Sequence, residues 1–273
     1  MKIFFLLFFT INLFSYDRII ALSPSINEII YALDSGDKIV GNTTFCNYPE
    51  EAKNKPKVGG YFEPSLEKIL SLRPEIVIMQ KSSLKLSKKL NKLGIKTKVV
   101  KLDRLNSIFD TIKDIGDVLD KKVEAKAILD RLNNRLEKTK NIIKNKRILF
   151  VIGHNLKLEK RIFVAGQNLY FDDIINYSGN TNAFKSSRVG QPILNMENII
   201  ASNPDIVILL SPFREKKGLT KDDLINPWLK LPINAKKTKS VFVLDKEYAG
   251  ISSNRLIYFL EDFKRFLLDA KNR

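Results

Sequence analysis

Residues 65–79 read SLEKILSLRPEIVIM, and residues 195–209 read NMENIIASNPDIVIL. The two stretches align without a gap at a constant offset of 130 residues, which places Glu67 opposite Glu197. A self-match of this length within one chain predicts two similarly folded lobes. Because ligands are commonly bound in clefts between lobes, the repeat also predicts where a ligand would bind.

Each copy has the pattern of an amphipathic helix that runs into a buried strand. In the first copy, Leu66, Ile69 and Leu70 lie at positions i, i+3 and i+4 and therefore share one helix face. Pro74 predicts the end of the helix, and the apolar run 76–79 is typical of a parallel strand that is covered on both faces. The second copy repeats this pattern and predicts a second helix–strand unit.

One acidic residue occupies the same place in both copies. Glu67 and Glu197 each fall in the first turn of the predicted helix, where the helix dipole favours negative charge, and lie away from the apolar stripe. Either one alone is typical of a solvated carboxylate at a helix start. Their matched placement on two lobes favours a second interpretation, in which the pair docks a two-fold symmetric basic partner.

The first 15 residues differ from the rest of the chain. Lys2 is followed by an almost entirely apolar stretch, residues 3–14, which is too short to span a membrane and is typical of a secretory signal peptide. We expect cleavage after Ser15. No cysteine follows the apolar stretch, so a bacterial lipoprotein site is not predicted. The mature protein is therefore expected to be exported and soluble.

Cysteine and histidine are too scarce for several kinds of site. Cys46 is the only cysteine and His154 the only histidine, which excludes an internal disulfide and a cysteine-based zinc site and leaves few routes to a multi-histidine metal site. The chain has no Walker loop, dinucleotide-binding glycine motif or nucleophile elbow. These absences favour a binding protein over an enzyme. They also disfavour an exported hydrolase that would use a serine or His154.

The chain is strongly basic, with 47 Lys and Arg residues, 30 Asp and Glu residues and a formal net charge of +17. Such a charge suggests nucleic acid as a partner. The lysines, however, lie beside Asn, Asp and Glu on predicted helix faces and lack the interleaved aromatic residues of a single-strand binder, so nucleic acid is not expected. A basic surface also attracts anionic ligands or membrane headgroups.

The predicted elements divide the chain into two lobes. Strands and helices alternate in residues 16–118, which predicts an N-terminal α/β lobe. Residues 119–145 contain no glycine or proline and keep a helical apolar pattern, so we expect one long helix that connects the lobes. Residues 146–273 predict a C-terminal α/β lobe. The expected fold class is therefore α/β, with two Rossmann-like lobes that have parallel sheets and a ligand cleft between them.

A set of short motifs is spread over the whole mature chain. In its first half they are 22–25 (LSPS), 41–43 (GNT), 47–49 (NYP), 58–61 (VGGY), 64–69 (PSLEKI) and 72–75 (LRPE). In its second half they are 179–180 (GN), 187–189 (SRV), 191–192 (QP) and 253–255 (SNR). Together they resemble the periplasmic binding proteins that serve ABC importers of cobalamin, haem and ferric siderophores, whose members often have a proline in place of Asn254.

The resemblance implies a fold and a function. The family has two α/β lobes joined by one long helix, and its members capture a bulky ligand between the lobes and deliver it to an ABC permease dimer of the inner membrane with its ATPase subunits. In the cobalamin-binding branch, one glutamate at a helix start on each lobe pairs with arginines of the permease, and Glu67 and Glu197 match these positions. The implied protein is a periplasmic monomer that needs no cofactor.

Within the family, the chain length and residues 44–49 most resemble the cobalamin-binding branch. Its ligand lies between aromatic walls, and the resemblance places Phe45, Tyr61 and Tyr248 at such positions. Flat aromatic faces suit a macrocycle and provide a large contact area. A corrinoid is therefore the expected ligand, with haem or a ferric siderophore as the alternative. Each aromatic residue could instead be an ordinary core or surface residue.

Three polar residues complete the predicted site. His154 follows a predicted strand through Gly153, at a strand end that faces the cleft in this fold, and could ligate haem iron, contact a corrin or hydrogen-bond its own loop. Arg188 and Arg255 could contact ligand carboxylates or amides, or could hold loops together. Siderophore sites usually have clusters of arginines, and these two candidates alone disfavour that ligand.

Overall fold

The computed structural model describes residues 16–159, 161–186 and 191–273. The predicted signal peptide, residues 1–15, lies outside the described residues. Within the described ranges, no helix has the length and apolar character needed to cross a membrane.

The first lobe is an α/β unit with a parallel sheet. Its strands in the described ranges are β1 (Ile19–Ala21), β2 (Ile39–Asn42), β3 (Ile76–Gln80) and β4 (Lys96–Val100). They lie in the order β2-β1-β3-β4, and all three pairings are parallel, as predicted. The helices of this lobe are α1 (Pro24–Ala32), α2 (Leu66–Ser71) and α3 (Leu84–Lys92). α1 packs on one face of the sheet, and α2 and α3 pack on the other.

The predicted first lobe, residues 16–118, ends with one helix, and a second helix lies where the connecting helix was predicted over 119–145. They are α4 (Leu105–Val118) and α5 (Lys122–Glu137). The break between them is at Asp120, which has a φ of 56°. α5 ends well before residue 145 because Thr139 donates its hydroxyl to the Leu136 carbonyl and Asn141 turns the chain with a φ of 59°. The helix expected over 119–145 is therefore too long at both ends. The lobe boundaries at residues 118 and 146 stay a prediction.

The second lobe repeats this plan and adds strands. Its described strands are β5 (Arg147–Ile152), β6 (Ile162–Val164), β7 (Thr181–Asn182), β8 (Ile193–Leu194), β9 (Ile206–Leu210) and β10 (Val241–Leu244). They lie in the order β10-β9-β5-β6-β8, and β7 pairs with β5. β6 is antiparallel to both neighbours, so this sheet is mixed rather than parallel as expected. A short loop joins β5 to β6, and antiparallel strands need no crossover helix.

The remaining helices flank the second sheet. They are α6 (Tyr170–Tyr177), α7 (Met196–Ser202), α8 (Lys221–Leu229), α9 (Asn234–Lys237) and α10 (Leu256–Lys271). One apolar core joins the inner faces of both sheets through α1, α4, α5, α6 and α10. Separate clusters around Ile69 and Trp228 cover the outer faces of the two sheets. The two lobes are therefore packed on each other through a shared core.

The sequence repeat is reproduced in three dimensions. Ser65 and Asn195 are the N-caps of α2 and α7, and each side chain accepts a hydrogen bond from the backbone N–H three residues later. Behind each helix the chain turns through a left-handed residue, Arg73 or Asn203. It then enters β3 or β9, which begin at matching positions of the repeat.

A carboxylate in each copy fixes the start of the neighbouring strand. The Glu75 carboxylate accepts the backbone N–H of Arg18 at 3.2 Å, just before β1. The Asp205 carboxylate accepts the backbone N–H of Arg147, the first residue of β5, at 2.8 Å. The same position of the repeat therefore has the same structural role in both lobes.

Candidate ligand cleft and docking surface

The carboxyl ends of the two sheets face the junction between the lobes. α1 begins just after β1, and its Ser25 hydroxyl oxygen lies 3.3 Å from the Ser252 hydroxyl oxygen, in the loop after β10. Since β1 and β10 both end at this junction, their parallel neighbours β3 and β9 end there too. The loops that follow these strands form the edge at which α/β sheets bind ligands. We refer to this junction as the cleft.

A buried ion pair crosses the junction. Glu28 of α1 accepts hydrogen bonds from Arg255 Nε at 3.0 Å, from Arg255 Nη2 and from the Ser253 hydroxyl, and Glu28 and Arg255 are both buried. The guanidinium also stacks over the Tyr48 ring, 3.9 Å from its centroid. Arg255 was predicted either to contact the ligand or to hold a loop. Its contacts favour the second role, because Glu28 accepts from both its Nε and its Nη2.

Tyr61 lies at the carboxyl end of β3. Its hydroxyl donates to Gln80 Oε1 at 2.9 Å, and Gln80 is the last residue of that strand. The next residue, Phe62, packs edge-on against Tyr61 with ring centroids 4.7 Å apart, and it is 85% exposed. Sequence reasoning missed Phe62, although a second aromatic residue directly after Tyr61 was an available signal.

Phe45 is presented by a tightly held loop after β2. The Lys57 ammonium donates to Asn42 Oδ1 and to the Ala52 carbonyl, each at 2.8 Å, and therefore holds both ends of that loop. Burial lowers the pKa of the Lys57 ammonium below its ordinary value. The neighbouring Cys46 is buried, whereas Phe45 is 61% exposed. The loop therefore fixes its backbone and offers an aromatic ring to solvent.

Tyr248 follows β10 and is half-buried. Its hydroxyl donates to Asp262 Oδ2 at 2.7 Å, and its ring packs against Tyr258, with both partners on α10. Burial, followed by the hydrogen bond to Asp262, raises the pKa of the Tyr248 hydroxyl. The hydroxyl is thus held by α10, and only the ring is left for a ligand. Among the described residues, no ring contact joins Tyr248 to Phe45 or Tyr61.

His154 stands at the carboxyl end of β5. The Lys217 ammonium lies 3.4 Å from His154 Nδ1, while His154 Nε2 is buried and has no well-formed hydrogen bond within the described ranges. Burial, and then the charge of Lys217, lower the pKa of His154 below its ordinary 6.5, and the Pro212 carbonyl acts in the opposite direction. The imidazole is therefore neutral at neutral pH, which is the form that ligates metals.

The loop after β9 carries polar contacts that the sequence did not indicate. The Ser211 hydroxyl donates to the Gly153 carbonyl at 2.8 Å and ties this loop to the one that carries His154. Arg214 donates to Asp245 Oδ2 at 2.9 Å and to the Leu219 carbonyl at 2.7 Å. The other predicted arginine, Arg188, lies outside the described residues.

Glu67 and Glu197 lie on the cleft side of their lobes. α2 begins beside the end of β2, since Ser65 N–H donates to the Val58 carbonyl and Val58 N–H donates to the Asn42 carbonyl. α7 directly follows β8, which ends level with the carboxyl end of β5. Both carboxylates are exposed, and neither forms an ion pair or a hydrogen bond in the part of the chain that the structure describes. We refer to the first turns of α2 and α7 as the candidate docking surface.

Two curated proteins are similar along most of their length. An uncharacterized ABC transporter substrate-binding lipoprotein of Bacillus subtilis is 30% identical over 254 residues, which cover 90% of this chain and 78% of that protein. A vitamin B12-binding protein of Vibrio vulnificus is 26% identical over 264 residues, which cover 94% of this chain and 92% of that protein.

Solved structures have the same two-lobed α/β fold. The periplasmic vitamin B12-binding protein of Vibrio cholerae has a TM-score of 0.79 at 20% identity and covers 94% of this chain and 99% of its own. A periplasmic heme-binding protein in complex with two hemes has a TM-score of 0.75 at 25% identity, with the same coverages. The family model described as periplasmic binding protein matches residues 19–248. The chain therefore belongs to the periplasmic binding protein family and is a substrate-binding protein of an ABC transporter.

Proposed function

We propose that this protein captures a corrinoid in the cleft and delivers it to an ABC permease of the inner membrane. The observation that carries the ligand assignment is the similarity to a vitamin B12-binding protein over 94% of the chain. The exposed rings of Phe45 and Phe62 and the neighbouring Tyr61 support it, because flat apolar faces suit a macrocycle. In this proposal the protein is a periplasmic monomer that binds its cargo without chemical conversion.

Haem is the second candidate, and His154 is the residue that favours it. Its imidazole is neutral, which is the form that ligates iron, and its buried Nε2 atom lacks a well-formed hydrogen bond among the described residues. A structure similar to this chain holds two hemes. A ferric siderophore has less support, because the Arg255 guanidinium pairs with Glu28.

Calorimetric titration of residues 16–273 with cyanocobalamin and haem, in parallel, tests the ligand. We expect one-to-one binding of cyanocobalamin, weakened by about 1–3 kcal/mol in Tyr61→Ala, because a buried aromatic contact is lost. Tyr16→Ala is the matched control, since this residue precedes β1, on the side of the strand away from the cleft. Binding of haem alone, lost in His154→Ala, would replace the corrinoid with haem. Binding of neither would overturn both assignments.

Delivery tests the docking surface separately from cargo binding. In Glu67→Ala with Glu197→Ala, we expect unchanged cyanocobalamin affinity and impaired uptake through the cognate permease. Exposed ion pairs are individually weak, and two on separate lobes chiefly set orientation and partner choice. The control, Asp110→Ala with Asp222→Ala, removes the same charge from exposed positions on α4 and α8. Uptake at the unmodified rate in the glutamate variant would remove both residues from docking.

A further inference from the structure

The outer edge of the first lobe is unusually basic. Residues 76–102 carry eight lysines and no aspartate or glutamate. They form β3, α3 and β4, and β4 is the last strand on its side of the sheet. Positive charge is therefore concentrated on one edge of the molecule.

Four of these lysines share one face of α3. Lys85, Lys88, Lys89 and Lys92 lie at positions i, i+3, i+4 and i+7, and all four are exposed. Leu90 lies on the opposite side of the helix and is buried against the sheet. We call the four residues the lysine face.

The lysine face is not paired with an acid among the described residues, although Glu63 lines the same groove as Lys85 and Lys89. Within the described part of the chain, none of its four ammonium groups forms an ion pair, whereas nearby Lys98 pairs with Asp114 at 2.7 Å. Like charges three and four residues apart destabilise a helix. The pattern therefore does not serve the stability of α3, and an external anionic partner would relieve the repulsion.

Exposed apolar side chains border the lysine face. Leu84 and Leu93, at the two ends of α3, are 40% and 55% exposed. Lys85 and Lys89 line the groove between α2 and α3. A basic helix face flanked by exposed apolar residues is typical of segments that bind at a membrane interface.

We propose that the lysine face binds the surface of an anionic bilayer. The basic partner expected to dock at Glu67 and Glu197 would repel these lysines. An anionic bilayer is therefore the better occupant of the lysine face. Nucleic acid fits less well, since the face itself carries no aromatic residue for base stacking. This step rests on the proposed function. A carrier that docks through the adjacent first turn of α2 would turn the lysine face toward the lipid around its permease.

Co-sedimentation with lipid vesicles tests this inference without cargo or permease. The probes are vesicles of phosphatidylcholine alone and vesicles in which about one third of the lipid is phosphatidylglycerol. We expect the protein to bind only the anionic vesicles and to be released as the salt concentration rises, because screening weakens surface electrostatics. Absence of binding to the anionic vesicles at low salt would overturn the inference.

Charge-matched variants locate the binding surface. Changing Lys85, Lys88, Lys89 and Lys92 to glutamine is expected to lower the bound-to-free ratio by roughly tenfold or more. The control changes Lys230, Lys236, Lys237 and Lys239 to glutamine, which removes four charges from exposed positions of the second lobe. Equal losses in both variants would show that net charge alone drives binding and would overturn the inference. Cyanocobalamin titration of both variants checks cargo binding independently.

Discussion

Glu28 and Arg255 join the two lobes through a buried ion pair. Arg255→Met is expected to destabilise the protein by about 3–5 kcal/mol, because it leaves the Glu28 carboxylate buried without its partner. Urea unfolding measures the loss. Arg135→Met is the control: its exposed pair with Glu261, at 2.6 Å, should contribute less than about 1 kcal/mol. Similar losses in the two variants would contradict a buried, coupled pair.

His154 can be titrated without ambiguity, because it is the only histidine of the chain. Ring NMR signals are expected to titrate with a midpoint below the ordinary 6.5, since burial and then Lys217 lower its pKa. Lys217→Met should move the midpoint upward. Lys216→Met, which removes an ammonium that lies over the Phe213 ring, should leave it nearly unchanged. A midpoint at or above 6.5 in the unmodified protein would contradict the assigned environment.

The same pKa shift of His154 predicts the sign of a stability change. Its folded pKa lies below the unfolded value, so the unfolded chain takes up the proton first as the pH falls. The contribution of His154 to stability is therefore complete above about pH 6.5 and decreases below it. His154→Gln should remove this part of the acid dependence.

At the scale of elements, the carboxylate that fixes the start of the neighbouring strand can be tested in each copy of the repeat. Asp205→Ala is expected to destabilise the protein by about 1–3 kcal/mol, because it leaves the Arg147 N–H and the Asn234 amide without their acceptor. Thermal and urea unfolding measure the change. Glu75→Ala should cost less, because its partner N–H groups are exposed. Asp110→Ala, at an exposed position of α4, is the control and should be near neutral.

The elements differ in how far the sequence could predict them. The helix–strand units of the repeat were predicted correctly, because apolar periodicity and a breaking proline act within a few residues. The connecting helix was predicted too long, because the turns at Asp120 and Asn141 depend on backbone conformations that carry no apolar signal. β6 and β8 have three and two residues, too few for a periodic pattern, and they exist through their pairing with β5 and with each other.

At the scale of the whole molecule, the shared core predicts cooperative unfolding. Trp228 is the only tryptophan and is fully buried in the second lobe, so its fluorescence reports on that lobe. We expect the urea transition of this fluorescence to coincide with that of the far-UV circular dichroism of the whole chain. Separate transitions would show that the lobes unfold independently.

A variant in the first lobe sharpens this test. Ile30 lies in α1 and is fully buried in the core that both sheets share. Ile30→Ala is expected to destabilise the protein by about 2–5 kcal/mol. The loss should shift the Trp228 transition in the other lobe as much as the circular dichroism transition. A Trp228 signal that does not move would contradict coupling through the core.

The sequence by itself determined the two helix–strand units, the two-lobed α/β class and the matched positions of Glu67 and Glu197, because these follow from apolar periodicity and helix starts within short segments. Only the tertiary structure decided that Arg255 pairs with Glu28, 227 residues away, and that the Tyr248 hydroxyl is held by α10. The reason is physical: charged and polar side chains choose partners by which elements pack together, and that packing brings together residues far apart in the chain.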